Sequence, residues 1–232
     1  MNDESTTRDP VITSKGMKFP KDGVFITGQL RAALRKNRYE AKEAFCVLKL
    51  VRDEDTVIEL GAGIGFMSTL VATKRNIKNV FAFEANPDLI PYIQSVHAAN
   101  ELTNAHIVHG ILGKRNGSSK LYVRKNLLSS SMEQHKEETP KNTTEVNVDV
   151  LNASHVFKEI KPTILIADIE GAEASLLPHL DLSCSRGAMI ELHPQHIGPE
   201  GVNAVFRAIM DAGLAFYSRG STHKVVCFRR AW

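Results

Sequence analysis

The sequence has no apolar run that approaches the roughly 20 residues needed to span a bilayer. Its first ten residues are polar and lack the hydrophobic segment of a secretory signal. The net charge of +3 is spread over 232 residues, and so small a charge gives no reason to expect nucleic acid. These absences predict a cytoplasmic protein with neither a membrane partner nor a nucleic acid partner.

Cysteine is scarce, and its three positions follow no spacing typical of disulfides or metal sites. Cys46, Cys184 and Cys227 fall in largely apolar surroundings, which favours reduced thiols in a protein core. No other recognised ligand spacing occurs, so we expect no metal. The length of the chain suits one α/β domain with a large core.

Composition divides the chain into a short lead-in and one domain. Residues 1–26 are expected to form a flexible or extended lead-in, because Pro20 and Gly23 interrupt it. Residues 27–232 are expected to form a single domain that opens with a helix from about residue 27 to 51. Within it, residues 132–144 contain a single apolar residue, which predicts a mobile surface loop.

The most informative segment is residues 57–65, where an apolar strand leads into a turn with three glycines. Met67, Leu70 and Val71 behind the turn follow helical spacing. A strand, a glycine turn and a helix in this order bring backbone close to a ligand in α/β proteins. The segment therefore indicates a site for a nucleotide-like cofactor.

The spacing of Gly61, Gly63 and Gly65 differs from the G-x-G-x-x-G fingerprint of dinucleotide sites. Phe66 stands where that fingerprint has its third glycine. Glu59 lies in the strand before the turn, where it can receive the ammonium of S-adenosylmethionine but would repel the pyrophosphate of NAD. The pattern E-x-G-x-G-x-G resembles motif I of the class I methyltransferases, although glycine turns also serve other ligands.

A second carboxylate supports a nucleoside ligand. Residues 79–85 have the pattern of the next buried strand, and Glu84 lies at its C-terminal end. An acidic side chain in this position binds ribose hydroxyls in such folds. We therefore expect Glu84 and the neighbouring Ala85 to contact the cofactor, with a solvated glutamate as the alternative.

Strands and helices alternate along the rest of the chain. Asn116 and Gly117 predict a turn into an antiparallel excursion. We predict a Rossmann-like class I methyltransferase sheet in the α/β class, mostly parallel with an antiparallel C-terminal edge strand, flanked by helices and preceded by an N-terminal helical extension. The remaining predicted elements are strands at residues 106–112, 146–150, 163–169, 187–192, 214–218 and 224–229, and helices to about residue 100 and at about 200–212.

Residues 167–173 read A-D-I-E-G-A-E and put Asp168 and Glu170 at the end of a predicted parallel strand, where open α/β sheets bind ligands. This segment closely resembles the D-x-E-G-x-E signature of the FkbM-like methyltransferases. Two further motifs resemble the same family: the pair Tyr39-Glu40 before the glycine turn and the serine run at residues 129–131.

The resemblance covers about residues 38–195. It implies that S-adenosylmethionine is the cofactor and that the methyl group passes to a hydroxyl of a sugar, secondary metabolite or similar small molecule. Because a protonated hydroxyl is a poor nucleophile, we expect a base beside it. Asp168 is the first candidate for this base, Glu170 the second and His193 the third.

Each candidate base has a structural alternative. Asp168 can orient the methionine part of the cofactor, and Glu170 and Glu173 can cap the helix that follows them. His193 is expected in a loop, where a histidine is more often a surface residue. Asp168 and Glu191 end neighbouring predicted strands, but without a recognised ligand spacing no metal site is predicted.

The adenine contact is the weakest part of the predicted cofactor site, because residues 108–112 contain no acidic or amide side chain. Ile111 is expected to pack on the adenine ring, while His109 or backbone carbonyls meet the amino group. A solvated face is favoured over an anion site for the basic residues of the excursion, which are Lys114, Arg115, Lys120, Arg124 and Lys125.

The predicted function is S-adenosylmethionine-dependent methylation of a small-molecule hydroxyl. One alternative is a regulatory module that binds the cofactor without transferring its methyl group. The other is an NAD-dependent oxidoreductase, against which Phe66 argues. The oligomeric state stays open.

Overall fold

The computed structural model of the protein describes residues 10–124 and 143–231, and for residues 124 and 143 the backbone alone. The first nine residues of the predicted lead-in lie outside this part of the chain. So do the serine run at 129–131, Lys125 and most of the loop predicted at 132–144. Among the described residues, no helix combines the length and the apolar character that a membrane crossing requires.

Strands and helices alternate as the sequence predicted. The strands are β1 (Val11–Ser14), β2 (Met17–Pro20), β3 (Thr56–Leu60), β4 (Asn79–Glu84), β5 (Ala105–His109), β6 (Ile111–Gly113), β7 (Gly117–Arg124), β8 (Thr143–Asn152), β9 (Ile164–Ala167), β10 (Gly187–Glu191), β11 (Ala215–Phe216) and β12 (Val225–Arg229). The helices are α1 (Gly28–Arg35), α2 (Ala41–Leu50), α3 (Phe66–Lys74), α4 (Leu89–Ala99), α5 (Ala153–Ile160), α6 (Glu173–Leu176) and α7 (Pro194–Asp211).

Within the described ranges, seven strands form the central sheet in the order β11-β12-β10-β9-β3-β4-β5. The five strands from β10 to β5 in this order are parallel neighbours, whereas β12 runs antiparallel to both β10 and β11. The predicted mostly parallel sheet is confirmed. The antiparallel strand β12 is not the edge strand, because the short β11 pairs with its outer side. Strand order reverses between β3 and β9, and ligands of open α/β sheets bind at the carboxyl ends of strands at such a reversal.

Both faces of the central sheet are covered, which explains its continuous apolar strands. Val57 packs with Leu70 of α3 on one face, and the next residue, Ile58, packs with Val205 of α7 on the other. All four side chains are fully buried. A strand buried on both sides has no polar face, so its sequence shows an apolar run rather than alternation.

The predicted third strand is two strands in two sheets. Gly110 has a φ of 149° and separates β5, at the edge of the central sheet, from β6. A three-stranded sheet of order β6-β8-β7 follows, in which β8 is parallel to β6 and antiparallel to β7. The predicted antiparallel excursion is confirmed, but the turn at Asn116 joins two strands that do not pair with each other.

Residues 11–20 of the lead-in form a hairpin packed on the domain. β1 and β2 pair antiparallel. The ring of Phe19 stacks on Phe66 of α3 at 5.6 Å between centroids. The hydroxyl of Tyr92 on α4 donates a 2.9 Å hydrogen bond to the carbonyl of Pro20. These contacts close the face of the sheet on which α3 and α4 lie.

The single helix predicted at residues 27–51 was wrong, because α1 and α2 are separate helices. Between them, Asn37 and Glu40 have φ values of 54° and 42°, in the left-handed region that ends a helix. The break turns the ring of Tyr39 onto Phe66, edge to face at 5.1 Å. The break between α1 and α2 thus coincides with the contact between Tyr39 and Phe66, and no glycine or proline in the sequence predicts it.

Candidate active site

A cleft opens at the carboxyl ends of β3, β4 and β9, beside the reversal of strand order. It holds about 850 Å³ of empty space, part of it open to solvent. Its lining includes six of the residues predicted to bind the cofactor, namely Gly61, Gly63, Glu84, Ala85, Ile111 and Asp168. Glu170, the second candidate base, also lines it.

The glycine turn brings the ends of β3 and β9 into direct contact. Gly61 has a φ of 86°, and a Cβ on it would lie 1.8 Å from the carbonyl oxygen of Asp168. Gly65 precedes α3, and a Cβ there would lie 2.9 Å from Cγ2 of Ile93. Gly63 faces more open space, and glycine is favoured there because the backbone has a φ of 55°. The turn thus supports the cleft and its first two glycines line it.

Glu84 connects the end of β4 to the glycine turn. Its Oε2 accepts a 2.8 Å hydrogen bond from the backbone N–H of Gly63, and its Oε1 accepts one of 2.8 Å from Asn86. Burial raises the pKa of the Glu84 carboxyl, and the backbone donors oppose that rise. A largely buried carboxylate in this position is held rigidly at the cleft wall.

Glu59, which the sequence predicts to meet the cofactor, lies beneath the turn and is not among the residues that line the cleft. It is 1% exposed and points with Val57 to the α3 side of the sheet, because alternate residues of a strand share a face. There it is hydrogen-bonded to Ser68, whose hydroxyl lies 3.0 Å from Nε2 of His97. Burial raises the pKa of the Glu59 carboxyl.

Three candidate bases meet at the other wall of the cleft. Asp168 and Glu170 follow β9, while His193 follows β10, the next strand in the sheet. Nε2 of His193 lies 3.4 Å from Oε2 of Glu170 and 3.7 Å from Oδ1 of Asp168. We call Asp168, Glu170 and His193 the acid–histidine cluster.

Glu173 fixes the orientation of His193. Its Oε1 lies 2.7 Å from Nδ1 of the imidazole and accepts a 3.1 Å hydrogen bond from the N–H of Gly171. His193 is 2% exposed and Glu173 fully buried. The expectation that His193 is a surface residue in a loop was therefore wrong: it is buried and directly precedes α7. No side chain in the described part of the chain caps the N-terminus of α6, so the expected capping role of Glu173 is wrong; its carboxylate binds the histidine instead, which sequence reasoning missed.

Carboxylates outnumber cations around the acid–histidine cluster. Oε1 of Glu191 lies 2.5 Å from Nζ of Lys224, which sequence reasoning also missed. Burial, then Glu191 and Glu170, raises the pKa of the Asp168 carboxyl to about 8. Burial lowers the pKa of His193, but Glu173 and the other carboxylates outweigh it, so that pKa is raised overall.

The pair Tyr39-Glu40 approaches the same site from the break between α1 and α2. The two side chains are hydrogen-bonded to each other, and burial raises the pKa of Glu40 to about 8. The hydroxyl of Tyr39 lies 3.9 Å from the position of a Cβ on Gly63. The pair therefore lies over the glycine turn, with its carboxylate near Asp168.

The opposite end of the cleft is apolar. Ile111 lines it together with Leu89, Leu112 and Leu121. His109 is exposed instead, with Nε2 3.2 Å from the carbonyl oxygen of Ala85, and is absent from the lining. The structure thus brings Ile111, but not His109, to the cleft.

Solved structures resemble this fold at low sequence identity. Methyltransferase FkbM from Methylobacillus flagellatus KT matches with a TM-score of 0.51 and 15% identity over 90% of this chain and 55% of its own. PH0793 from Pyrococcus horikoshii matches at 0.51 and 16%, over 94% and 70%. M. jannaschii TYW2 in complex with AdoMet matches at 0.49 and 12%, over 95% and 86%. This chain therefore spans little more than half of the FkbM structure.

No curated protein sequence matches the chain. The family model of the methyltransferase FkbM domain does match, over residues 59–213, which is about two thirds of the chain. The matched segment begins in β3 at Glu59 and ends just after α7, so it contains the glycine turn, Glu84 and the acid–histidine cluster. A match of this extent shows the family: the chain belongs to the FkbM methyltransferases and is an S-adenosylmethionine-dependent enzyme.

Proposed function

We propose that this methyltransferase transfers the methyl group of S-adenosylmethionine to a hydroxyl oxygen of a small molecule. The observation that carries the proposal is the position of Asp168. Its backbone touches Gly61 of the glycine turn and its side chain lines the cleft. A carboxylate beside the cofactor turn is a group that can accept the proton of a hydroxyl nucleophile.

In this proposal Glu84 and the glycine turn hold the cofactor. The Glu84 carboxylate lines the cleft and is fixed there by the backbone N–H groups of Gly63 and Asn86, which supports its placement beside the ribose hydroxyls of a bound cofactor. Gly61 and Gly63 line the cleft with backbone that carries no side chain of its own. Ala85 and Ile111 supply the wall at the adenine end, where the apolar lining suits an aromatic ring.

The acceptor end of the cleft is rich in carboxylates. Asp168 and Glu170 line it, and Oε1 of Glu191 lies 3.9 Å from Nε2 of His193. The ammonium of Lys224 is already paired with Glu191. The lysine described at this end is therefore not free to pair with a phosphate, which supports an uncharged small molecule over a nucleic acid as the acceptor.

The proposed reaction is an in-line displacement. The hydroxyl oxygen attacks the methyl carbon, the new C–O bond forms as the C–S bond breaks, and the electron pair remains on sulfur in S-adenosylhomocysteine. The hydroxyl proton passes to Asp168. Alignment and exclusion of water supply much of the rate, and a positioned base adds about 10²–10⁴-fold.

Product analysis with isotope-labelled methyl groups tests the proposal. The protein is incubated with labelled S-adenosylmethionine and a panel of sugars, polyols and phenols, and the products are examined by NMR. We expect a labelled methyl ether together with S-adenosylhomocysteine. A label on nitrogen, or cofactor binding with no product from any hydroxyl compound, would contradict transfer to oxygen, and the second result would favour a regulatory module.

A further inference from the structure

Three side chains with metal-ligating atoms meet where β9 and β10 end. One oxygen or nitrogen atom from each of Asp168, Glu170 and His193 lies within 4.8 Å of the other two. We propose that this acid–histidine cluster binds a divalent transition-metal cation, to which the acceptor hydroxyl is coordinated. The inference rests on the proposed function, because the part it gives the cation is to activate that hydroxyl.

The imidazole of His193 is oriented as metal-ligating histidines are. Its Nδ1 is held by the buried carboxylate of Glu173 at 2.7 Å, which leaves Nε2 directed at the two other carboxylates. Metal-ligating histidines almost always bind a carboxylate, carbonyl or water through the second nitrogen, which fixes the ring. Glu173 would be the positioning residue of this site.

The spacing of the cluster fits a shared ion better than direct hydrogen bonds. Nε2 of His193 is 3.4 and 3.7 Å from its carboxylate neighbours, whereas charge-assisted hydrogen bonds measure about 2.7–2.9 Å. Two ligands held about 2.1 Å from one ion lie roughly 3.0–3.4 Å apart at octahedral or tetrahedral angles. The gap between the imidazole and the carboxylates is close to that expected for ligands of one cation.

An unpaired oxygen points to the same conclusion independently. Oδ1 of Asp168 is buried and has no hydrogen-bond partner among the described residues, although it is the atom that approaches His193. A buried polar atom without a partner is costly and calls for an explanation in a native protein. Lys224 is engaged at Glu191 with a 2.5 Å contact. A dication bound at Oδ1 would supply the missing partner.

The donor set selects the class of ion. Imidazole nitrogen suits Zn²⁺ and Fe²⁺, and carboxylate oxygen suits Mn²⁺. Mg²⁺ and Ca²⁺ are bound through oxygen ligands, so an imidazole in the donor set does not favour them. Two oxygens and one nitrogen therefore favour Mn²⁺ or Zn²⁺. Three protein ligands also leave open positions for an acceptor oxygen. The sequence predicted no metal here because the ligands come from two strands, so no short spacing reveals them.

A coordinated hydroxyl loses its proton more readily than a free one, as metal-bound water does. In the proposed arrangement Asp168 binds the cation through Oδ1, and its second oxygen remains available to take the proton. The cation then stabilises the negative charge on the acceptor oxygen before the methyl group is transferred. The ligand role and the base role of Asp168 are thus compatible.

Manganese binding to the chelator-treated, full-length protein tests the inference without cofactor or acceptor. In a titration followed by electron paramagnetic resonance, we expect one Mn²⁺ per chain and displacement by Zn²⁺. Glu170→Gln changes a partly exposed ligand and should weaken Mn²⁺ binding more than 10-fold without unfolding the protein. Glu173→Gln should weaken it by about 10–100-fold. The matched control Glu159→Gln alters an exposed glutamate of α5 and should change nothing.

Calorimetry with S-adenosylhomocysteine on the same metal-free samples separates the two proposals. Cofactor binding without stoichiometric binding of Mn²⁺ or Zn²⁺ would overturn the cation site while the proposed function stands. Equal Mn²⁺ affinity in the wild type, Glu170→Gln and Asp168→Asn would also overturn it. Mn²⁺ binding at the cluster, with labelled methyl groups found only on nitrogen, would leave the cation site standing and remove the proposed function.

Discussion

The parallel strands of the central sheet have opposite electrostatic environments at their two ends. At the amino ends, Asp55 precedes β3 and is 4% exposed. Its carboxylate is paired with the guanidinium of Arg186 and accepts hydrogen bonds of 2.7 Å from the Thr163 hydroxyl and the Arg52 N–H. Both oxygens therefore have donors, and the buried charge has a counter-charge.

At the carboxyl ends the same residue types are not balanced. The carboxylates of Asp168, Glu170, Glu173 and Glu191 surround His193, and only Glu191 has a lysine partner among the described residues. Oδ1 of Asp168 and Oε2 of Glu173 have no hydrogen-bond partner in that part of the chain. The pKa of Asp168 rises to about 8 as a result of burial and its acidic neighbours.

The comparison separates a structural use of buried carboxylates from a functional one. Removing one partner of a buried ion pair is strongly destabilising, because it leaves an uncompensated buried charge. Crowded carboxylates without partners lower the stability of the folded state, and groups of this kind are concentrated where ligands bind and chemistry occurs. Substitutions at the amino ends should therefore lower stability and leave activity unchanged, whereas substitutions at the carboxyl ends should lower activity and leave stability unchanged.

The largest expected effect is on turnover at the carboxyl ends. Asp168→Asn keeps the shape of the side chain and removes its ability to accept a proton, so the methylation rate should fall by about 10²–10⁴-fold. The free energy of unfolding should not decrease, because a neutral amide replaces a carboxyl that Glu191 and Glu170 crowd and whose pKa is raised to about 8. Urea unfolding and rate assays on the same sample measure both. A clear loss of stability with full activity would show that Asp168 has a structural role, as Asp55 has, and not a functional one.

The next effect is on stability at the amino ends. Asp55→Ala leaves the Arg186 guanidinium without its partner, and breaking such a buried pair should cost about 3 kcal/mol of unfolding free energy. The affinity for S-adenosylhomocysteine should remain unchanged, since Asp55 lies at the end of β3 opposite the cleft. Chemical denaturation and calorimetry provide the two readings, and Asp55→Asn is the matched variant with a smaller expected loss.

A third prediction concerns pH and the polar layer beneath the glycine turn. Burial, and secondarily His106, lowers the pKa of His97 from 6.5 to about 4. The folded state therefore resists protonation that the unfolded state accepts. The contribution of His97 to the free energy of unfolding should be fully present above about pH 6.5. It should be lost as the pH drops towards 4, by up to about 3 kcal/mol.

Urea unfolding of the wild type and His97→Gln at several pH values measures this dependence. The variant lacks the titrating imidazole but keeps a polar group near Ser68, so its stability should depend less on pH in that window. Identical pH profiles for the two proteins would show that His97 is not the buried neutral group that the structure indicates.

A fourth prediction tests the contact between the two strand ends. Gly61→Ala introduces a Cβ at a φ of 86° and against the carbonyl of Asp168. The conformation alone costs about 1–2 kcal/mol, and the backbone shift should weaken cofactor binding. Gly23→Ala is the matched control, because nothing lies within 4 Å of its added Cβ. Equal cofactor affinities in the two variants would mean that the turn tolerates a side chain.

Local pattern was sufficient for the parts of the fold that local sequence determines. The apolar run before Gly61, the glycine turn and the carboxylates at the ends of β4 and β9 were all predictable. Strands buried on both faces and turns that need positive φ leave direct signals in the sequence. The position of Asp168 beside Gly61 then follows from the parallel sheet.

The parts that were missed depend on distant contacts. Glu173 and His193 lie 20 positions apart and meet only because β9 and β10 are neighbours. The break between α1 and α2 coincides with the packing of Tyr39 on Phe66, and no local residue signals it. The contact of Glu59 with Ser68 depends on which face of β3 the helix α3 covers. Such pairings arise from topology, so periodicity and spacing do not predict them.

The measurement that tests the account most directly is calorimetry of S-adenosylhomocysteine with the wild type, Glu84→Ala and the control Glu159→Ala. Glu84 is the carboxylate that joins β4 to the glycine turn at the cleft wall. We expect micromolar binding by the wild type and the control, and loss of measurable binding by Glu84→Ala. Unchanged affinity in Glu84→Ala would contradict the assignment of the cofactor to this cleft.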